Sequence, residues 1–523
     1  MGLFDHILLG VEAAFSGIMV FGLPLNIMMV IGGLFFGILI GATPGMAGPM
    51  AMAIALPILI SVFGYETAAL LPILGFLLGV MKGATLGGAV PAILFNTPGT
   101  PDALMTTLDG HPMTQRGEAK RALKTAHFAS VTGDTFSDIV LIICAPFLAV
   151  FVESYLDLPE KSALILLSLT FIAAVMGQSI SKGLIAVSAG MMVAFIGTGE
   201  DFYPRLSLGI NTLHGGFPIA TVVLGTLIIG EVFAAMMTAR KERQSAGDIR
   251  QYTLNQDQSL SLKDRWTLMP YIGPSALIGT IIGALPGIGS TLAATLGYAK
   301  GKRRHEKKKT ADAPEFGKGA IEGVASTEAA NSAVSGANLI PVLSLGIPGN
   351  AAAIFLILAM ETVDGLNPGP GVFRVPSSGI NPEMVMVFGL FTLMIVANLT
   401  NWIVGSRVMQ LMAFMIKIPK QILMPTVLLI TMASIYAQEM NMLSLVFLLG
   451  FGVLGFLMRQ TGFPVLPFVI AYILGGSFEE TSRQAFASTG GNAWFLVSSP
   501  ISIAFMLLSL AIIIYFTLRN IKS

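Results

Sequence analysis

The stretch ILFNTPGTPDALMTTLDGHP (residues 93–112) interrupts an apolar segment with two prolines and a glycine. Pro98 and Pro101 lack a backbone N–H, and each disfavours α geometry in the residue before it. Gly99 between them gives the backbone further freedom. The sequence therefore predicts a hydrophobic helix that breaks at 96–101 and places hydroxyl and amide groups at the break.

The composition of the whole chain indicates a membrane protein. Of its 523 residues, 54% are hydrophobic and only 11% are charged, and the mean hydropathy is +0.78. A soluble domain carries about 25% charged residues. The apolar runs are long and lack the period-2 alternation of a membrane β-barrel. The predicted fold is an all-α polytopic membrane protein with about twelve transmembrane helices, together with re-entrant or broken pieces.

Charge and cysteine content exclude several classes of function. The net charge of +1 gives no support to nucleic-acid binding. Cys144 is the single cysteine, so this chain alone makes no disulfide, zinc site or iron–sulfur cluster. The start MGLFDHILLGVEAAF lacks a basic region and an A-x-A-like site, so we expect an interfacial amphipathic segment and not a cleaved signal peptide.

Two polar connections, 239–266 and 300–325, are the most basic parts of the chain. The positive-inside rule places both in the cytoplasm, and a lipid-binding patch is the less favoured interpretation of the lysine run. The apolar stretch 267–299 between them must then begin and end on the same side. It is short for two crossings, so a re-entrant hairpin that turns at Pro286-Gly287 is favoured over two tight crossings.

An internal repeat links these features. The motif GATPGMAGP at 41–49 resembles GALPGIGST at 283–291, and PAILFNTPGTP at 91–101 resembles PVLSLGIPGNA at 341–351. The Asp-Gly motifs LDGHP (108–112) and VDGLNP (363–368) follow in the same order.

The repeat predicts the organisation of the chain. The first half, 1–240, contains a hairpin around 41–49 and a broken helix around 96–101. A cytoplasmic basic linker, 241–266, follows it. The second half, 267–523, contains a hairpin around 283–291 and a broken helix around 346–350. We expect the two halves to be inverted repeats.

Paired helix breaks at corresponding positions are typical of the binding sites of secondary transporters. A helix N-terminus after a break offers N–H donors to a carboxylate, and freed carbonyl and side-chain oxygens can hold a cation. The alternative is that Pro-Gly only kinks helices for packing. The predicted substrate-binding residues are Lys82, Asn96, Thr97, Gly99, Thr100, Asn331, Gly349 and Asn350. The predicted ion-binding residues are Thr43, Gly45, Pro98, Gly287, Ser290, Glu328, Ser344 and Gly346.

Lys82 lies in a long apolar stretch, where an ammonium group is costly. It could contact the substrate or take part in ion coupling, neutralise an acid such as Glu328 or Glu361, or extend to the membrane interface. Glu328 could be a cation ligand, a proton carrier or a helix cap.

Other acidic residues are given structural interpretations. Asp109 and Asp364, each followed by glycine, are interpreted as turn or helix-end residues. Asp134 and Asp138 share a helix face and could form an ion path, but a solvated helix start is the favoured interpretation.

At these residues the sequence resembles the large membrane subunit of the tripartite tricarboxylate transporters, the TctA family. The matching stretches are PGMAGPMAMAIALP (44–57), AILFNTPGTPDALMTTLDGHPMTQRGEAKRAL (92–123), EAANSAVSGANLIPVLSLGIPGNAAA (328–353) and GFPVLPFVIAYILGGSFEETSRQAF (462–486). Lys82, Leu86, Thr327 and Ser332 depart from the residues usual in that family, which bears on the substrate more than on the fold.

The resemblance implies a multi-pass permease of the bacterial inner membrane that takes up a carboxylate on an ion gradient. Na⁺ is favoured over H⁺ as the coupling ion, and no cofactor is expected. The implied partners are a TctB-like small membrane subunit and a TctC-like periplasmic binding protein, and a homodimer is an open alternative. By analogy the mechanism is of the elevator type.

Two other kinds of function compete with the permease. An intramembrane enzyme needs a nucleophile–base pair or an acidic metal motif, and the sequence has no HExxH, DDxxD-like or GxSxG motif. A stand-alone carboxylate/H⁺ symporter, or a channel-like subunit without a binding protein, remains the alternative.

Overall fold

The computed structural model describes residues 2–43, 46–177, 179–198, 203–207, 209–242, 260–307, 314–363, 365–376, 378–415 and 420–522. Gly45, Asp364 and most of the predicted linker (243–259) lie outside this set. The α-helices, numbered in chain order, are α1 Leu3–Phe15, α2 Leu25–Gly41, α3 Gly48–Phe63, α4 Thr67–Phe95, α5 Leu104–Gln115, α6 Ala119–Tyr155, α7 Leu158–Met176, α8 Ile180–Ala194, α9 Ile219–Leu224, α10 Gly230–Glu242, α11 Leu262–Gly283, α12 Ser290–Lys307, α13 Ile321–Ala337, α14 Leu339–Leu345, α15 Ala351–Thr362, α16 Pro382–Thr400, α17 Ser406–Met415, α18 Lys420–Glu439, α19 Met442–Thr461, α20 Val465–Ser488 and α21 Pro500–Lys522.

Short elements complete the described chain. The strands β1 Met19–Val20 and β2 Leu23–Pro24 pair antiparallel, as do β3 Gly197–Thr198 and β4 Pro204–Arg205. Turns of 3₁₀-helix lie at Pro101–Ala103, Asn211–Leu213, Pro370–Phe373 and Phe495–Val497, and π-helical turns at Gly225–Ile229 and Asn401–Gly405. The chain is predominantly helical, as predicted.

Seven helical segments in the described residues are long and apolar enough to cross a membrane. They are Thr67–Phe95, Ala119–Tyr155, Leu158–Met176, Ile219–Met237, Pro382–Met412, Met442–Thr461 and Pro500–Leu518. Shorter apolar helices lie at Leu25–Gly41, Gly48–Phe63, Ile180–Ala194 and Ala351–Thr362. The polytopic membrane class is therefore confirmed, while the count of about twelve crossings stays a prediction.

The described residues divide into two compact units. The first comprises segments of 1–149, 246–285 and 289–419, and the second comprises segments of 150–245, 286–288 and 420–523. Each unit thus draws on both halves of the sequence. The predicted halves, 1–240 and 267–523, are sequence repeats and not compact units, and this division stays a prediction.

In both predicted hairpins, the turn between the two helices begins and ends at corresponding residues. Helix α2 ends at Gly41, and Ala42 after it has φ −71° and ψ −12°. Helix α11 ends at Gly283, 242 positions later, and Ala284 has the same φ and ψ. The second helices, α3 and α12, begin at Gly48 and Ser290, again 242 positions apart. In each pair the two helices are in contact.

Both predicted helix breaks are present and share one geometry. Helix α4 ends at Phe95, Asn96 is left-handed (φ 54°), and the Thr97 N–H donates to the Pro91 carbonyl over 3.3 Å. At the second break, 250 positions later, α14 ends, Gly346 is left-handed (φ 72°), and the Ile347 N–H donates to the Pro341 carbonyl over 3.1 Å. A left-handed residue with this 6→1 bond is a regular helix stop.

Glycines bring the helices of the first unit into close contact. A Cβ on Gly37 or Gly41 of α2 would lie 2.4 or 2.2 Å from a carbonyl oxygen of α4, that of Val80 or Ala84 respectively. The second half repeats these contacts between α11 and α13. A Cβ on Gly279 would lie 2.2 Å from the Ala330 oxygen, and one on Gly283 would lie 2.9 Å from the Val334 oxygen. Small residues allow such backbone approach between membrane helices.

In the second unit the π-helical turn Gly225–Ile229 joins α9 to α10. Such a turn displaces backbone carbonyls from their regular partners. Arg459 of α19 donates to the carbonyls of Thr226 and Leu227 at 2.8 and 2.9 Å and pairs with Glu231 at 3.0 Å. One arginine side chain therefore donates hydrogen bonds to the carbonyls of the π-helical turn and joins α19 to that turn.

Candidate functional site

Each helix break lies against the end of the hairpin in its own half. A Cβ on Gly99 would lie 2.2 Å from the Gly41 carbonyl oxygen, and the Gly99 N–H donates to the Gly88 carbonyl over 3.3 Å. In the second half, a Cβ on Gly349 would lie 3.0 Å from Oδ1 of Asn338 and 3.7 Å from the carbonyl oxygen of Gly283, the counterpart of Gly41. The two motifs that the sequence pairs are thus neighbours in both halves.

The helix that follows each break contacts the hairpin of the other half of the sequence. The turn Pro101–Ala103 and α5 contact α12 of the second hairpin, and α15 contacts α3 of the first. Thr291 Oγ1 at the start of α12 donates to Asp102 Oδ1 over 2.8 Å. The segments around both breaks therefore pack together within the first unit, each against a helix of the other half.

Glu328 is buried inside this arrangement. Its carboxylate accepts hydrogen bonds from Thr106 of α5 and, over 3.0 Å, from Ser130 of α6. Helix α13 begins at Ile321, so Glu328 lies two turns inside it, and the helix-cap interpretation is wrong. Thr106 and Ser130 were missed at the sequence level because single hydroxyl residues carry no pattern.

Several buried polar groups without partners among the described residues lie on α13 beside Glu328 or next to a helix break. Asn331, one turn after Glu328 on α13, is 1% exposed, and neither its Oδ1 nor its Nδ2 has a hydrogen-bond partner among the described residues. Nδ2 of Asn338 and Oγ1 of Thr100 and of Thr327 are in the same state. An unpaired buried polar group is costly and rare in native interiors. The described donors and acceptors therefore fit a polar ligand.

Other predicted residues already have partners. Oδ1 of Asn350 caps α15 by accepting from the Ala353 N–H over 2.8 Å. The hydroxyl of Ser344 donates to the Ile340 carbonyl, and that of Thr43 donates to the Leu39 carbonyl over 3.1 Å. The hydroxyl oxygens keep acceptor capacity, so an ion-binding role for them stays a prediction.

The remaining predicted residues have more varied settings. Asn96 and Thr97 are exposed, Pro98 and Gly346 are half-buried, and Ser290 starts α12. Gly287 has φ +84°, belongs to the second unit and lies against Ile172. Their roles in binding stay predictions.

Lys82 lies in a cluster of charged side chains. Its Nζ is 2.9 Å from Asp134 Oδ2 and 2.7 Å from Asp138 Oδ2, and Asn398 Nδ2 donates to Asp138 Oδ2 over 2.7 Å. All four residues are at most 3% exposed.

The cluster corrects several sequence interpretations. Because Lys82 is buried, it does not reach an interface. Its acidic partners are not Glu328 and Glu361. Asp134 and Asp138 lie inside the helix Ala119–Tyr155, so the solvated helix start is wrong. The spacing of four places both aspartates on one helix face, but no signal in the sequence identifies Lys82 as their partner.

Asp109 lies inside α5, so its interpretation as a turn or helix-end residue is wrong, and its carboxylate instead binds the start of a different helix. Its Oδ1 accepts N–H groups of Gly317, Gly319 and Ala320, each over 2.8 Å, just before α13. Burial raises the pKa of the Asp109 carboxyl above its ordinary value, and the three N–H donors oppose that shift. Asp109 therefore anchors the helix that carries Glu328 and Asn331.

Comparison with known families identifies the chain. The family model described as "Tripartite tricarboxylate transporter TctA family" matches residues 27–470. The chain belongs to the TctA family. It is 30% identical, over all of its length and 98% of the relative, to a 52.8 kDa protein in the TAR-I ttuC' 3' region of Agrobacterium vitis. A protein in the TAR-II ttuC' 3' region of the same organism is 31% identical over 47% of this chain and 96% of that relative. No solved structure matches the chain.

Membership confirms the resemblance seen in the sequence motifs. TctA is a family of transporters, in agreement with the prediction of a transport protein and not an enzyme. Membership supports a large membrane subunit in a multi-pass membrane location and implies a tripartite system with TctB- and TctC-type partners.

Proposed function

We propose that this TctA-family chain is the permease subunit of an ion-gradient-driven secondary transporter that imports a carboxylate. In this proposal a TctC-like periplasmic protein delivers the substrate, a TctB-like small subunit completes the complex, and the site is in the bacterial inner membrane. The observation that carries the proposal is the buried Asn331 amide, which has no partner among the described residues and lies one turn from Glu328. Its helix, α13, contacts the turn Pro101–Ala103 after the first break and α14 before the second.

The chemistry of the site suits a carboxylate together with a cation. Nδ2 of Asn331 and Nδ2 of Asn338 are donors without partners, and α15 begins at the second break with the positive end of its dipole. The unpartnered oxygens of Thr100, Thr327 and Asn331, together with the Glu328 carboxylate, are hard ligands suited to Na⁺. We therefore propose Na⁺ as the coupling ion.

The recurrence of local geometry supports a mechanism based on two repeats. Helix ends, left-handed stops and glycine contacts recur 242 or 250 positions apart. We propose that these repeats have inverted topology and that an elevator-type movement exposes the site alternately to the two sides. The open alternative of a homodimer does not change the site, which one chain supplies.

Vesicle uptake tests the proposal. The chain, its small subunit and its binding protein are reconstituted, and labelled tri-, di- and aromatic carboxylates are offered with a Na⁺ gradient or with a proton gradient alone. We expect accumulation that requires Na⁺ and the binding protein, and that Asn331→Ala abolishes. Uptake without the binding protein, driven by protons alone, would instead indicate the stand-alone H⁺ symporter. Equilibration without accumulation would indicate a channel.

A further inference from the structure

The cluster around Lys82 holds more negative than positive charge. It contains two carboxylates, Asp134 and Asp138, and one ammonium group, and the fourth member, Asn398, is neutral. The residues come from three of the apolar membrane-spanning segments. An uncompensated charge in such surroundings is costly, and ionisable groups inside a membrane are functional candidates by default.

Among the described residues, the helices that pack on α6 at the cluster supply no second cation. Lys82 is the single charged residue of α4, and the charged residues of α13 are Glu322 and Glu328, both acidic. The segment Pro382–Thr400 that carries Asn398 contains only Glu383, at its first turn. The oxygens Asp134 Oδ1, Asp138 Oδ1 and Asn398 Oδ1 have no hydrogen-bond partner among the described residues.

The geometry favours a proton over a metal cation. Lys82 Nζ already lies within hydrogen-bond distance of both carboxylates, so a metal ion on them would be placed beside a like charge. Oδ1 of Asp138 lies against α13 so closely that a Cβ on Gly336 would be 2.0 Å from it. A proton needs no added volume and leaves the ammonium in place.

The hydrogen bonds identify which aspartate carries the proton. Asp138 Oδ2 accepts from both Lys82 and Asn398 at 2.7 Å, whereas in the described part of the chain Asp134 Oδ2 accepts from Lys82 alone at 2.9 Å. Donors stabilise the ionised form, so Asp138 is the better carboxylate of the two.

We propose that the Lys82–Asp134–Asp138–Asn398 cluster is a proton-binding site, in which Asp134 holds one proton that moves with the transport cycle. Its coupling to transport rests on the proposed function, whereas the proton itself does not. The proton adds to the Na⁺ proposed above. When Asp134 releases the proton, the cluster becomes net negative, and the contact of α6 with α4 and α13 is weakened.

Infrared spectroscopy of the purified wild-type protein tests the proton directly. The carbonyl stretch of a protonated carboxylic acid is distinct from carboxylate bands and shifts in D₂O. We expect such a band at neutral pH, and the difference spectrum should show that the contribution of the cluster is lost in Asp134→Asn. It is also lost in Asp138→Asn, because Lys82 then balances the remaining carboxylate. Lys82→Met should strengthen the band, because two carboxylates without an ammonium take a second proton. The control Glu383→Gln should leave the band unchanged.

Transport measurements test the movement of the proton. With equal Na⁺ on both sides, we expect the wild-type complex to show substrate-dependent proton influx. Asp134→Asn should lose this influx but retain exchange of labelled for unlabelled substrate, which needs no net proton movement. A wild-type spectrum without the band, a band that Asp134→Asn leaves unchanged, or proton influx that persists in Asp134→Asn would overturn the proposal. Absence of any carboxylate uptake or exchange, with the band present, would instead contradict the proposed transport function.

Discussion

Gly99 packs against Gly41 so closely that a methyl group on Gly99 would lie 2.2 Å from the Gly41 carbonyl oxygen. The first helix break is thereby pressed against the end of the first hairpin helix. The corresponding residue, Gly349, leaves more room, since its nearest neighbour would be the end of the Asn338 side chain at 3.0 Å.

This difference predicts unequal effects of the same substitution. Gly99→Ala should destabilise the protein by about 1–3 kcal/mol, because a backbone carbonyl must shift, and Gly349→Ala should cost less. The larger Gly99→Leu and Gly349→Leu should each abolish uptake. Thermal denaturation and vesicle uptake measure these effects. Gly371→Ala is the control, because a Cβ there meets nothing within 4 Å. Normal uptake by both leucine variants would show that the helix breaks are not part of the transport site.

Asn331 should be more important for transport than for folding. Replacing its unpaired amide by an apolar group of similar size, as in Asn331→Leu, should leave stability unchanged or raise it by about 1 kcal/mol while uptake is lost. Thermal denaturation of the substrate-free protein measures the stability of the variant and of the wild type, and vesicle uptake measures their transport. Ser275→Ala, which removes another buried and unpartnered polar group, should leave uptake intact. A strongly destabilised Asn331→Leu would show that the amide has a structural partner.

Asp109 should control the start of α13. Asp109→Ala leaves the N–H groups of Gly317, Gly319 and Ala320 without their acceptor, at a cost of about 1–3 kcal/mol for each group that stays buried. Asp109→Asn retains a side-chain oxygen and should cost less. Hydrogen exchange at residues 317–320 should accelerate in the alanine variant. Unchanged exchange there would contradict the anchoring role.

Lys82→Met should destabilise the first unit by roughly 3–5 kcal/mol at neutral pH, because the carboxylate that Lys82 balances then loses its cation and must take up a second proton at a free-energy cost. The loss should shrink as pH falls and both aspartates become protonated. Thermal denaturation across a pH series measures it, and Lys302→Met, at an exposed lysine of the first unit, is the control. A loss that did not depend on pH would point to packing instead.

Glu479 predicts a different pH dependence in the second unit. Its hydrogen bonds to Arg205, at 2.7 and 2.9 Å, hold the pKa of the Glu479 carboxyl below its ordinary value. A lowered pKa means that the pair stabilises the fold above the ordinary glutamate pKa of about 4.3 and loses that contribution as pH falls through the folded-state pKa. The stability difference between wild type and Glu479→Gln should therefore disappear in acid. A difference that persisted there would contradict the ion pair.

The helix breaks could be predicted from the sequence because proline and glycine act locally. Pro91, Pro98 and Gly99 recur at Pro341, Pro348 and Gly349, and the structure stops a helix before each Pro-Gly pair with a left-handed residue. Asn96 fills the first of these positions although it is not glycine, because asparagine tolerates that conformation.

The sequence by itself determined the membrane class, the broken helices and the family, because hydropathy, proline and glycine constrain the chain within a few residues. Only the tertiary structure decided which charges meet. Lys82 pairs with aspartates 52 and 56 residues away, and Glu328 with Thr106, 222 residues away. No local pattern in the sequence predicts partners so far apart along the chain, because a buried charge pairs with a group on whichever helix packs against it. Here the close packing of α4, α6 and α13 decides which groups meet.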